Sequence, residues 1–150
     1  MAFPTSYVNG KTIADILTGD LSADLNADTF KIALFTDSVS GADKNASESY
    51  NSGAWVVANE VTGTGYTAGG ATIASPSIST PASGKWKFKS SSPTVSWTTA
   101  TFTARGALIY DSTASNRVLA AINFGSDKQV VSGDFTITWD TTNDIFYVTF

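Results

Sequence analysis

The chain has 150 residues, 42% of them hydrophobic, and a net charge of −4, which suits one domain able to bury about 70% of the surface that its unfolded chain exposes. It contains no cysteine and no histidine, and of its thirteen acidic residues only Glu48 and Glu60 are glutamates. Those absences exclude disulfides, thiolate nucleophiles, zinc or haem held by cysteine or histidine, and a Ser-His-Asp triad, while the acidic balance disfavours nucleic-acid phosphates. Met1 to Val8 shows no basic region leading into an apolar run, so no secretory signal is expected. No apolar stretch reaches the roughly 18 residues that cross a membrane.

Ile13, Ile16, Leu17 and Leu21 recur at helical spacing, with Asn9 or Thr12 placed to cap a helix and Gly19 to end it. Asp20, Asp24 and Asp28 would make a repulsive stripe if that helix continued, so a turn-rich connection is expected there. Thr29 to Thr36 reads as a central strand: Phe30, Ile32 and Leu34 share one face, and Lys31, Ala33 and Phe35 the other. Asp37 to Gly53 is a polar excursion, long for a loop in a compact domain. Ala54 to Val61 reads as strand or short helix, and Gly63 to Gly70 as a glycine-rich loop. Ala71 to Thr80 and Gly84 to Ser90 are candidate strands punctuated by Pro76, Pro81 and Pro93.

Beyond Pro93 short alternating runs follow one another: Val95 to Phe102, Ala107 to Tyr110, Val118 to Phe124, Phe135 to Trp139, and Ile145 to Phe150 with Phe146, Val148 and Phe150 on one face. Turn-forming residues separate them at 111–116, 125–127, 132–134 and 140–144. The pattern predicts a mainly β protein, an antiparallel β-sandwich or barrel-like domain with one short N-terminal helix. Its organisation is an N-terminal helical segment over 1–28 and a single β domain over 29–150, with the excursion at 37–53.

Few motifs carry chemistry. Gly63 to Ala68 has the G-x-G-x-x-A spacing, but a strand-like, proline-broken segment follows instead of a helix, so the glycines serve a tight loop with Tyr66 across it. Asp140, Asn143 and Asp144 are turn residues before they are calcium ligands. No acid–base carboxylate pair is evident, and no catalytic, cofactor-binding or metal-binding residue is assigned. Four tryptophans raise sugar stacking; Trp97 and Trp139 alternate with core residues, whereas Trp55 beside the polar excursion is the best surface aromatic. Lys85, Lys87 and Lys89 alternate with Trp86 and Phe88. This spacing fits a solvated edge strand guarded by lysines, or a contact surface. Trp55, Tyr66, Lys85, Lys87 and Lys89 are therefore the candidate interaction residues.

The segment Asn59 to Gly70 (NEVTGTGYTAGG), together with Trp97 to Asp111 (WTTATFTARGALIYD), Val118 to Phe124 (VLAAINF) and Gly133 to Trp139 (GDFTITW), resembles small β-rich virion proteins of tailed bacteriophages. The likeness runs from about Phe30 to the C-terminus. It departs at Gly106, where a bulkier, often aromatic residue is expected. The resemblance implies a structural role without catalysis, most like capsid decoration (cement) proteins, which sit on the outer shell, often as trimers. The expected partners are major capsid subunits and further copies of the chain, with no nucleic acid, membrane or cofactor. The expected location is the outer capsid surface after synthesis in the host cytoplasm. A tail component (tube, tip or minor tail protein) is the alternative within that class, and a carbohydrate-binding module or adhesin the alternative outside it. The N-terminal segment and the 37–53 excursion, which the resemblance leaves unexplained, are expected to contact other subunits.

Overall fold

The computed structural model describes residues 3–80 and 82–149, so Pro81 and Phe150 lie outside the described residues. The elements in order are β1 (Tyr7–Val8), α1 (Gly10–Thr18), β2 (Phe30–Phe35), two 3-10 turns (Gly53–Trp55 and Val57–Asn59), β3 (Ala71–Thr72), β4 (Ser77–Ile78), β5 (Lys85–Lys89), β6 (Thr94–Asp111), β7 (Arg117–Thr138) and β8 (Phe146–Thr149). They form two antiparallel sheets, β1-β7-β6-β2-β3 and β4-β5-β8. The protein is thus mainly β and sandwich-like, with one helix. Strand β2 lies between β6 and β3 and is buried on both faces, as its doubly apolar pattern requires. Phe30, Ile32 and Leu34 enter the core shared with the smaller sheet, where Phe30 meets Phe88 edge-on at 5.0 Å. Ala33 and Phe35 enter a second core on the opposite face.

The helix is short and its inward face is polar. The Asn9 side chain caps it by accepting from the Thr12 amide, and Gly19 ends it in the left-handed conformation at φ 80°. Thr12 and Asp15 are its buried residues, whereas Leu17 stands 81% exposed. The expected apolar stripe therefore contributes little more than Ile13 to the core. The reason is what β7 offers: the Val118 carbonyl takes the Thr12 hydroxyl at 2.7 Å and the Arg117 guanidinium takes Asp15 at 2.7 Å. Lys11 also donates to Asp15, and these two cations hold its carboxyl below the usual carboxylate range. The aspartates beyond form the turn-rich connection, Asp28 accepting from the Asp24 amide at 2.7 Å.

The second face of the large sheet would be an exposed apolar surface without the two segments that the strand pattern left over. The excursion lays Val39, and the 3-10 turn that follows it lays Trp55, both fully buried, over Phe35, Leu108 and Val118. Tyr50 stacks on Tyr110 with centroids 4.5 Å apart and planes at 9°. The N-terminal arm adds Phe3, whose ring fills the space in front of Gly106; a Cβ there would lie 2.3 Å from Phe3 Cζ. The small residue at 106 is thus matched by an aromatic ring supplied from the opposite end of the chain. Asn123 fastens the arm by donating to the carbonyls of Phe3 and Pro4. Both segments expected to reach other subunits are used within the chain. Phe3→Ala opens a cavity over Gly106 and is expected to cost about 3 kcal/mol, measured by denaturant unfolding; a loss under ~1 kcal/mol would mean the arm does not seal this face.

The runs from Val95 through Phe135 merge into one long hairpin, while the last run forms β8 of the smaller sheet. Strands β6 and β7 have 18 and 22 residues and pair from Thr94↔Thr138 to Asp111↔Arg117. The turn expected at 111–116 is there, but those at 125–127 and 132–134 are not turns. They are irregularities inside β7, where the register shifts between Ala104 and Gly106 and between Ala100 and Phe102. Gly125 at φ 79° and Ser132 at φ 50° adopt the positive angles that a turn or a bulge equally uses. The extra residues bend the strand without reversing it.

Candidate functional site

The chain's only two glutamates are both consumed in holding the fold. Glu48 accepts from the Tyr7 hydroxyl at 2.7 Å, from Trp55 Nε1 at 3.1 Å and from the Asp43 amide at 2.8 Å. It thereby joins β1, the excursion and the buried tryptophan. Glu60 is 3% exposed and accepts from the hydroxyls of Tyr50 at 2.8 Å and Tyr66 at 2.6 Å, and from the Gly69 amide at 2.7 Å. The Leu34 amide donates to the Tyr66 oxygen, and the Tyr110 hydroxyl donates to the Gly69 carbonyl. Burial, reinforced by the adjacent carboxylates, raises the phenols of Tyr7, Tyr50 and Tyr66 well above their ordinary value, and burial pushes Tyr110 up to about 12. Phenols held in this way are hydrogen-bond donors at neutral pH.

This network takes in two of the expected contact residues. Trp55 is fully buried, with Phe35 and Phe3 edge-on at 5.2 and 5.8 Å, and presents no surface aromatic face. The polar residues around it mark the outer side of a segment whose inner side packs on the sheet. Tyr66 is half-buried with its hydroxyl held inward between Glu60 and β2, and its ring lies 5.7 Å from Phe102 and 6.1 Å from Trp97. It spans the glycine loop, where Gly65 has φ 77° and comes so near β6 that a Cβ would sit 2.9 Å from the Ala100 Cα.

The three lysines lie together on one face, but they do not guard an edge. Strand β5 is the middle strand of its sheet, flanked by β4 and β8. Tyr147 lies across from Lys87 on β8 and receives Lys85 over its ring at 5.0 Å. Asp144 sits 3.6 Å from Lys87. Lys85, Lys87 and Lys89 are each half-buried, consistent with stems laid along the sheet and heads directed outward. Trp86 is half-buried against Phe146, and Phe88 fully buried. Trp97 and Trp139 are core residues at 6% and 8% exposure. In the 140–144 turn, Asp140 accepts from the amides of Thr142 and Asn143, and among the described residues no group of three or more acidic side chains could hold a metal ion.

Two surface grooves carry apolar side chains. A groove of about 420 Å³ runs between β1 and the start of β7 on one side and Trp139, Ile145 and Phe146 on the other. A second, of about 580 Å³, is lined by Ile122, Phe124, Val130, Phe135 and Ile137 together with Lys128, Gln129 and Asp134, and the two share Ile122, Ile137 and Thr138. Both follow β7, whose 128–138 stretch pairs with β6 alone among the described residues. Val131, Leu17 and Tyr147 add exposed apolar surface at 66%, 81% and 44%. The alternation of these β7 residues marked them as inward-facing; that the smaller sheet stops short of them was not visible in the pattern. Comparison of the chain with protein-family models, curated proteins and solved structures finds no match.

Proposed function

We propose that the protein is a non-enzymatic structural subunit of a tailed-phage virion, seated on the outer face of the head as a decoration protein that binds major capsid subunits and copies of itself. The observation that supports a structural role is the division of the polar and apolar groups. Both glutamates and four of the five tyrosines hold the chain together, while the groove along β7 combines apolar side chains with Lys128, Gln129 and Asp134 and is suited to contact. The phage setting comes from the resemblance of the glycine segment and the 97–111 run. A protein of this kind works by mass action, stabilising whichever assembled state it binds.

The test is its stoichiometry in purified particles, combined with adding the purified chain to heads stripped of it. A decoration protein is present in numbers comparable to the major capsid subunit and raises the temperature at which heads disrupt. Recovery in tails alone, or rings formed by the isolated chain, would place it in the tail; absence from particles would overturn the virion reading.

A further inference from the structure

Strand β7 closes one side of the large sheet only in part. Strand β1 covers it at Ala120 and Ala121, and the 128–138 stretch bonds to β6 alone among the described residues. The second groove is lined there by unbroken runs, Lys128 to Val130 and Asp134 to Thr138. One face of a strand presents every second residue, so a groove lined by consecutive residues follows the strand's edge, where backbone groups lack strand partners. Such an edge receives an extended chain laid alongside it.

The edge is selective because it is broken. Ala100 pairs with Gly133 and Phe102 with Val130, so Val131 and Ser132 together oppose the single residue Thr101. Val131 stands 66% exposed at this bulge. A bulge blunts an edge against strands that ignore it, so an occupant has to carry a matching break at the same place. A second copy of β7 does so when it runs antiparallel with its own Val131 opposite this one.

The charges agree with that register. Lys128 and Asp134 lie three residues to either side of Val131. Antiparallel pairing about Val131 therefore sets Lys128 of each copy across from Asp134 of the other, with Gln129 across from Gly133 and Val130 across from Ser132. Lys128 and Asp134 are both exposed, and neither has an ion-pair partner among the described residues. Lys128 donates to the Ser126 hydroxyl at 3.0 Å, and Asp134 accepts the Thr99 amide at 3.2 Å. Asp127, the remaining charge of this stretch, already lies 3.8 Å from Arg105.

We infer that two copies of the chain join along the β7 edge, antiparallel about a two-fold axis at Val131, with Lys128 of each on Asp134 of the other. This rests on the reading of the protein as a subunit that binds copies of itself, and it names the surface and the symmetry. The contact is isologous, so it closes at two copies.

The test is sedimentation velocity of the full chain from micromolar to millimolar concentration, for wild type, Lys128→Asp, Asp134→Lys and the double variant. Wild type is expected to pass from monomer to dimer. Each single variant sets like charges against each other on both sides of the axis and is expected to weaken the dimer about tenfold, whereas the double variant exchanges the charges and restores it. Val131→Asp, which puts two carboxylates at the axis, is expected to weaken it as well. A monomer throughout, a trimer or ring, or a double variant no better than the single ones would overturn the inference. Should a variant fail to fold, amide hydrogen exchange of wild type decides. Exchange over 128–134 that slows as the concentration rises supports the pairing, and exchange independent of concentration rules it out. A chain that stays monomeric and still binds stripped heads overturns the pairing and leaves the virion reading intact. A dimer of this register that is absent from particles upholds the pairing and overturns the virion reading.

Discussion

Glu60→Ala is expected to lower the unfolding free energy by about 3–5 kcal/mol, because it strands three buried donors at once. The Tyr50 and Tyr66 hydroxyls and the Gly69 amide all end on this one carboxylate. The position is also a joint. Glu60 bridges to Phe35 at the end of β2, with Tyr50 reaching it from the cover of one face and Tyr66 from the glycine loop over the other. Glu60→Gln keeps one acceptor oxygen and turns an amide NH₂ toward donors, so it falls between wild type and alanine. Tyr50→Phe removes a single donor without stranding it and should cost about 1 kcal/mol. Equilibrium denaturation measures all three. A Glu60→Ala protein within ~1 kcal/mol of wild type would show that water satisfies these groups and that the network is not what joins the two cores.

Trp55→Ala carries the second large effect, about 3–5 kcal/mol for deleting a fully buried aromatic side chain. The loss is packing against Phe3 and Phe35 together with one of the donors on Glu48. Trp55→Phe separates the two contributions: it keeps most of the ring and loses the indole N–H, for an expected ~1–2 kcal/mol. The same variants bear on function. An exposed sugar-stacking tryptophan can be removed at little cost to stability and at large cost to glycan binding. Here the folding cost is expected to dominate, and a Trp55→Ala chain as stable as wild type would contradict its burial.

The two effects share a cause with the excursion that precedes Trp55. Deleting 38–52 would remove Val39, Glu48 and Tyr50 and bare one face of the large sheet. That deletion would report folding before it reported any contact with other subunits. The proposed contacts with other subunits are better probed on the groove along β7 and the ridge at Leu17.

Much of the architecture was legible because side-chain period and backbone geometry are coupled locally. Six residues with both faces apolar have to sit inside a sheet, and β2 does. Asn9 and Gly19 bound a helix through interactions with their immediate neighbours, and both do so here. The alternation of Lys85, Lys87 and Lys89 with Trp86 and Phe88 placed the lysines on one face, but neighbours in space, not in sequence, put β5 in the middle of its sheet. Gly125 and Ser132 show the same boundary within one strand. A positive φ serves a turn and a bulge alike, and only the partner strand's register distinguishes them.

The amino-acid order by itself determined a mainly antiparallel β chain with one capped helix, and it determined that chemistry based on cysteine and histidine is absent. Tertiary structure alone decided what the few acidic groups do. Glu48 and Glu60 are joints and Asp15 is the inward face of a helix, because partners up to 102 residues apart in the chain converge on them. Tertiary structure also decided that Trp55 is buried and that β7 is open on one side. Burial depends on which segments fold back over a face, and that is a property of long-range packing which no local period encodes.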